Sequence, residues 1–188
     1  MSSFKSAGMS IIFAALLVFL VGAPTSATAA SAAEIDRDAS GALADLYRQT
    51  PAAKALAKQA KAILVFPSVV KGGLLIGGEY GQGVLRQGEK ALGYFEIAAV
   101  SYGLQAGAQS FSYVLFFMTD SAVQYAKESK GWEFGVGPSV VVLDEGMAKT
   151  VTTTTARDDI YAFVFGQQGL MAGVGLKGSK ITRIWPGP

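Results

Sequence analysis

Residues 160–185 constrain the fold more than any other part of the chain, because their side chains repeat with a period of two. Residues 160–165 (Ile-Tyr-Ala-Phe-Val-Phe) are a β-branched and aromatic run, and Gly166-Gln167-Gln168-Gly169 supplies a turn. Over residues 170–177 the alternation is strict. Leu170, Ala172, Val174 and Leu176 fall on one face of a strand, and Met171, Gly173, Gly175 and Lys177 on the other. Gly178-Ser179 is a two-residue loop of the kind that closes a tight hairpin, so residues 180–185 are predicted to return antiparallel. In that register Lys177 stands opposite Lys180, a like-charge pair that costs stability. Residue types alone favour a solvated hairpin tip there, and an anion held between the two lysines is the alternative.

The chemistry open to this chain is narrow. Among 188 residues there is no cysteine and no histidine. That removes disulfides, a thiolate nucleophile, a Ser-His-Asp triad and an ordinary zinc site. The serines lack a base to activate them. Asp158-Asp159 and Asp144-Glu145 are adjacent acids, which project to opposite sides of an extended chain and read as turns rather than as a working carboxylate pair. No carboxylate spacing suggests a metal, and no cofactor is expected. Gly78-x-x-Gly81-x-Gly83 has the look of a phosphate loop, but no helix start comes after it to supply donors, so a nucleotide site is rejected. The expectation is a binding protein and not an enzyme.

Residues 1–33 read as a secretory signal peptide: Lys5 precedes an apolar run over residues 11–21, Pro24 breaks it, and Ala27-Thr28-Ala29 and Ala30-Ser31-Ala32 are small-residue cleavage sites. An uncleaved anchor is the alternative. Export places the protein in the periplasm or the envelope. Without Lys5, fifteen basic residues face fourteen acidic ones, so any attraction to anions must come from local clusters. Near-neutral charge and interior aromatics also argue against nucleic acid.

Two helices are predicted next, over residues 34–61. Ile35, Ala39, Ala42 and Leu46 make the buried stripe of the first, and Thr50-Pro51 starts the second, running to about residue 62. On that second helix Lys54, Lys58 and Lys61 fall at i, i+4 and i+7 as one cationic stripe. A solvated face is the plainer reading, and a membrane-facing one the alternative. A β-rich stretch then occupies residues 62–188, read as eight to ten short strands. Pro67 closes the first of these, over residues 63–66. Glycines between 72 and 83 mark bulges, sharp coiling or a close backbone approach. Thr119 or Asp120 caps one inserted helix running to about residue 129. The predicted fold is α+β: two N-terminal helices and a strongly curled, Gly-rich antiparallel sheet, barrel-like or sandwich, with one inserted helix. Residues 34–188 form one unit.

Three motifs carry a resemblance. Lys71 to Gly83 fits a K-x-G-hydrophobic-G-G-x-x-G-x-G pattern, Gly103-Leu104-Gln105-Ala106-Gly107 fits G-x-Q-x-G, and residues 169–179 read G-L-M-A-G-V-G-L-K-G-S. Together they resemble the SYLF domain, a lipid-binding family with secreted bacterial members, over about residues 62–184. Tyr94-Phe95 departs from the family's usual tryptophan-serine-alanine-proline run. Gln167-Gln168 and Lys177 also depart from common family residues, so lipid preference does not carry over. Nor does the actin binding of eukaryotic, cytoplasmic relatives. The resemblance implies recognition of anionic, phosphoinositide-like lipid head groups at a membrane surface. Lys54, Lys58, Lys61 and Lys71 would serve near the helices, and Lys177 and Lys180 at the hairpin tip. Arg183 falls on the other face and is left out. The competing reading is a structural protein of the cell envelope that binds a protein or wall partner. A small outer-membrane barrel is disfavoured, because the strands show no sustained lipid-facing band.

Overall fold

A computed structural model describes residues 30–129, 131–133, 137–143, 158–169 and 179–187. The chain opens with α1 (Ala32–Gln49), whose N-terminus is closed by a reciprocal cap. The Glu34 N–H donates to Ser31 Oγ at 3.3 Å, and the Ser31 N–H donates to Glu34 Oε2 at 2.9 Å. That cap starts the helix at Ala32, before the predicted residue 34. Ile35, Ala39, Leu43 and Leu46 form its buried stripe.

The second helix, α2 (Pro51–Ala57), is shorter than its sequence predicts. Lys58 is its C-cap, and the N–H groups of Gln59 and Ala60 both turn back to the Leu56 carbonyl. The reason for the early stop lies in the sheet. The Lys61 N–H donates to the Phe117 carbonyl at 2.7 Å, so the strand ladder claims the chain four residues after the helix ends.

Two long strands dominate the sheet. β1 (Ala62–Gln87) and β2 (Lys90–Phe117) form one antiparallel ribbon, where several short strands were expected. Pro67 does not close a strand: β1 passes through it by shifting register between Phe66 and Val69, the irregular position where a residue without an N–H is tolerated. Ser112 Oγ donates to the freed Pro67 carbonyl at 2.8 Å. The inserted helix α3 (Asp120–Glu128) comes after β2, with Thr119 Oγ1 capping the Ala122 N–H as expected. β3 (Trp132–Glu133), β4 (Val140–Leu143), β5 (Ile160–Gly169) and β6 (Lys180–Ile184) complete a six-stranded sheet among the described residues.

The strand order is β3-β6-β2-β5-β4, with β1 also on β2. The length of β2 makes this possible: its early residues pair with β6 (Phe95 with Arg183) and its late ones with β5 (Val114 with Phe163). One pair departs from the expected antiparallel pattern, since β4 and β5 run parallel. β6 lies between β2 and β3, with Lys180 beside Ala98 on one side and Glu133 on the other. The predicted partner strand over 170–177, Lys177 with it, lies outside the described residues. So do the predicted threonine strand at 151–155, the Asp144-Glu145 turn and residues 1–29 of the leader, whose last two residues, 32 and 33, instead open α1.

Both faces of the sheet are covered where β2 ends. Val65, Val84, Val114, Phe116, Phe163 and Phe165 pack beneath α1 and α2. On the other face Leu64, Phe66, Phe111, Tyr113 and Leu115 pack with Ala122 and Ala126 of α3 and with Trp132. Double coverage explains why residues 113–117 read as an unbroken apolar run rather than an alternating one.

The glycines of β1 create the curl. A Cβ on Gly73 would lie 2.3 Å from the Gly77 Cα, so the strand bends sharply between them, where its register on β2 also shifts. The second half of β1 then passes close over the first. A Cβ on Gly81 would be 2.7 Å from the Ser68 carbonyl oxygen, and one on Gly83 2.2 Å from that of Val65. The pattern that looked like a phosphate loop is a backbone crossing.

Candidate functional site

Lys54 is exposed on α2, Lys58 is exposed at its C-cap, and Lys61 is exposed in the bend before β1. They do not form a helical stripe, because the helix ends before two of them. They remain one local group, within eight positions of chain. Lys61 Nζ lies 3.9 Å from Asp120 Oδ2 on α3, a long contact between two exposed side chains that contributes little.

Beside this group runs a groove of about 510 Å³ between α1, the end of α2 and the β1–β2 turn. Leu43, Tyr47, Ala57 and Ile63 give it an apolar wall, and its charged lining is Lys61 and Arg86 with one acid, Glu89. Arg86, near the end of β1, is a residue that the sequence pattern does not single out. Its Nη1 donates to Ser40 Oγ at 2.9 Å, and its Nη2 donates to the Asp36 carbonyl at 3.1 Å and to Asp36 Oδ1 at 3.0 Å. Tyr94 OH donates to the other oxygen, Asp36 Oδ2, at 2.9 Å. This network fastens α1 to the sheet. Arg86 Nε is buried and makes no hydrogen bond among the described residues, which leaves one cationic donor unused. Burial raises the Tyr47 hydroxyl above its ordinary value, and the nearby Arg86 partly offsets this.

The remaining predicted lysines stand elsewhere. Lys71 lies nine positions into β1, opposite Gln109. The bend at Gly73–Gly77 brings it near Glu79, which is only 6% exposed. Ser179 Oγ, itself buried, donates to Glu79 Oε1 at 3.4 Å. Lys71 therefore has a carboxylate to answer inside the fold. Lys180 is exposed at the start of β6, with Glu133 beside it. Lys54, Lys58 and Lys61 thus share α2 and the bend after it, whereas Lys71 stands within β1 opposite Gln109 and Lys180 at the start of β6.

Glu79 makes a pH-dependent contribution with a definite sign. Burial pushes its carboxyl above the ordinary 4.5, and the charge of Lys71 and the Ser179 bond offset that only in part. Through the window from 4.5 up to the raised value, the folded chain keeps a proton that the unfolded chain releases. Stability from this group is full below the window and is lost as pH rises through it. The thermal midpoint of the wild type, less that of Glu79→Gln, should therefore fall as pH rises from 4.5 towards neutrality. Parallel midpoint curves for the two proteins would contradict this.

The acids at 158 and 159 serve structure, as their turn reading implied. Asp159 Oδ2 accepts from the Ser139 N–H at 3.1 Å and its Oδ1 from Thr119 Oγ1 at 3.1 Å. The Ser139 backbone bond is the largest influence holding its carboxyl below the ordinary range. Tyr161 OH donates to Asp158 Oδ2 at 3.2 Å. Among the described residues no cluster of three or more acidic side chains could hold a metal ion, and no helix is long and apolar enough to cross a membrane.

A family model described as "Ysc84: Las17-binding protein actin regulator", the SYLF domain, matches residues 98–184. The match runs from the middle of β2 through α3 and β5 to the end of β6. The groove and its cations, drawn from residues 40–89, precede it. No curated protein matches the chain.

Proposed function

We propose that this chain, whose residues 98–184 match the model of the SYLF-domain family, a family of non-enzymatic binding domains associated with lipid and actin binding, is an exported module that binds anionic lipid head groups. The observation that carries this reading is the groove: an apolar wall with Lys61 and Arg86 beside it, and Lys54 and Lys58 just outside. An anionic amphiphile needs those two surfaces side by side, ammonium and guanidinium groups for the phosphate and apolar area for the acyl chain. Phosphoinositide-like head groups, with several phosphates, suit the spread of charge across Lys54, Lys58, Lys61 and Arg86. Actin, which the family description evokes, does not suit an exported chain, because the leader directs it out of the cytoplasm.

The test is retention on vesicles across ionic strength. Screening shortens from about 10 Å at 0.1 M salt to about 3 Å at 1 M, so capture by exposed lysines must weaken steeply over that range. Retention on phosphatidylglycerol-containing vesicles should fall with salt, and phosphatidylcholine vesicles should retain little protein. Equal retention on both, unchanged by salt, would remove the reading.

Export brings a second expectation. Cleavage after Ala29 leaves the Ser31–Glu34 cap intact, whereas cleavage after Ala32 removes Ser31 and costs about 1 kcal/mol of helix stability. N-terminal sequencing of the exported protein should therefore begin at Ala30. A start at Ala33 would contradict this.

A further inference from the structure

The ribbon of β1 and β2 is covered by helices over only part of its outer face. In the row Val84–Tyr94–Ile184, Val84 is buried beneath α1 and Tyr94 is bonded to Asp36. One row on, Gln82 Oε1 accepts from the Ala30 N–H at 3.2 Å, and helical cover ends there. Beyond it no described helix covers the face. Tyr80 is 49% exposed opposite Ala98, Val100 is 66% exposed opposite Gly78, and Ile76 is 61% exposed opposite residue 102. These positions succeed one another at a period of two, so they share one surface at the bend of the ribbon.

The same stretch is free of charge. No acidic or basic residue lies between Lys71 and Glu79, nor between Glu96 and Asp120. Charge returns only at the margin. Lys180 stands next to Ala98 in the row that contains Tyr80, and the Tyr80 hydroxyl lies 3.4 Å from Glu96 Oε2. An apolar crest, a tyrosine whose polar tip reaches back from it and a cation at its border match the order of the layers met on entering an anionic bilayer. A crest built for a protein partner has no need to exclude charge so completely, since protein interfaces carry polar rims and hydrogen bonds.

We propose that this crest, with Ile76 and Val100 at its top, is a wedge that enters the acyl layer of an anionic membrane, while Tyr80 and Lys180 stay at head-group level. The proposal rests on the lipid-binding reading and adds to it the surface that inserts. Electrostatic capture by the α2 lysines and insertion of the crest then become separable steps, one sensitive to salt and the other not.

The chain has no cysteine, so Ile76→Cys and Val100→Cys each create a unique site for an environment-sensitive fluorophore, with Gln49→Cys at the exposed end of α1 as a control. On phosphatidylglycerol–phosphatidylcholine vesicles, labels at 76 and 100 should shift to the blue and be quenched by brominated acyl chains, and the label at 49 should do neither. Ile76→Asp with Val100→Asp should keep the wild-type thermal midpoint, both positions being exposed, and weaken vesicle binding by about tenfold or more. If the wild type is retained but the labels at 76 and 100 stay water-like, the wedge is wrong and lipid binding stands. A blue shift that needs no vesicles and grows with protein concentration means a contact between copies, and also overturns it. Failure of the wild type to bind either vesicle removes both readings.

Discussion

Gly83→Ala should lower the thermal midpoint by about 5–10 °C. The new Cβ would lie 2.2 Å from the Val65 carbonyl oxygen and 2.7 Å from Phe66 Cδ1. Phe66 could turn aside, but the Val65 backbone is held by its pairing with Val114 and cannot yield without moving the ladder. Overpacking of this kind costs about 1–3 kcal/mol, and a backbone obstacle puts it at the upper end. A domain of this size loses about 2–4 °C for each kcal/mol. Gly41→Ala supplies the contrast. Nothing lies within 4 Å of a Cβ there, and the site is interior to α1, so this change should stabilise by about 0.5–1 kcal/mol. Calorimetry on the two variants reads opposite signs. Equal midpoints would mean that β1 does not cross itself as described.

The second large effect is expected from Arg86→Ala. It removes three hydrogen bonds to α1 and leaves the Asp36 carboxylate with only the Tyr94 hydroxyl. Charge-assisted bonds contribute about 1.5–3 kcal/mol when sheltered, and the Arg86 side chain is only 13% exposed. The Asp36 side chain is 40% exposed, so water compensates part of the loss, and a net cost of about 2 kcal/mol is expected. Urea unfolding should show that loss, and hydrogen exchange should place it in α1, with β2 amides at the β5 pairing little changed. Arg86→Lys should recover only part of the stability, since an ammonium lacks the planar fork that reaches Ser40 Oγ, the Asp36 carbonyl and Asp36 Oδ1 together. Full stability in Arg86→Ala would show that α1 is held by its apolar stripe alone.

The helices were legible because their signals are local. Thr119 caps α3, Pro51 starts α2, and the stripe Ile35, Ala39, Leu46 repeats at helical spacing, whereas the Ser31–Glu34 cap of α1 went unread because Ser31 fell in the leader. The α+β class and the single inserted helix rest on the same signals. Strand continuity was less legible. Pro67 and the glycines at 72, 73, 77 and 78 carry the residue types of turns, yet in β1 they mark a bulge and a bend within one strand. Local composition cannot distinguish a strand that ends from one that curls. The parallel pairing of β4 with β5 depends on a connection that no periodicity encodes.

For the site the same limit applies at longer range. Lys54, Lys58 and Lys61 were identified by spacing, although the helix that justified the spacing stops at Ala57. Arg86 was passed over, since its value comes from Asp36 and Ser40, separated from it by 50 and 46 positions. Lys71 looked open to phosphate until the bend set Glu79 near it. A carboxylate eight positions after a lysine, with four glycines between them, was the one hint of that encounter in the sequence.

The binding affinity of Lys54→Gln/Lys58→Gln/Lys61→Gln for phosphatidylglycerol-containing vesicles, set beside that of the wild type at low salt, tests the function most directly. Each lysine near an anionic surface contributes about 1 kcal/mol, so removal of all three should weaken binding on the order of a hundredfold, with folding unchanged. An affinity within experimental error of the wild type would place head-group capture somewhere other than the α2 lysines and their groove.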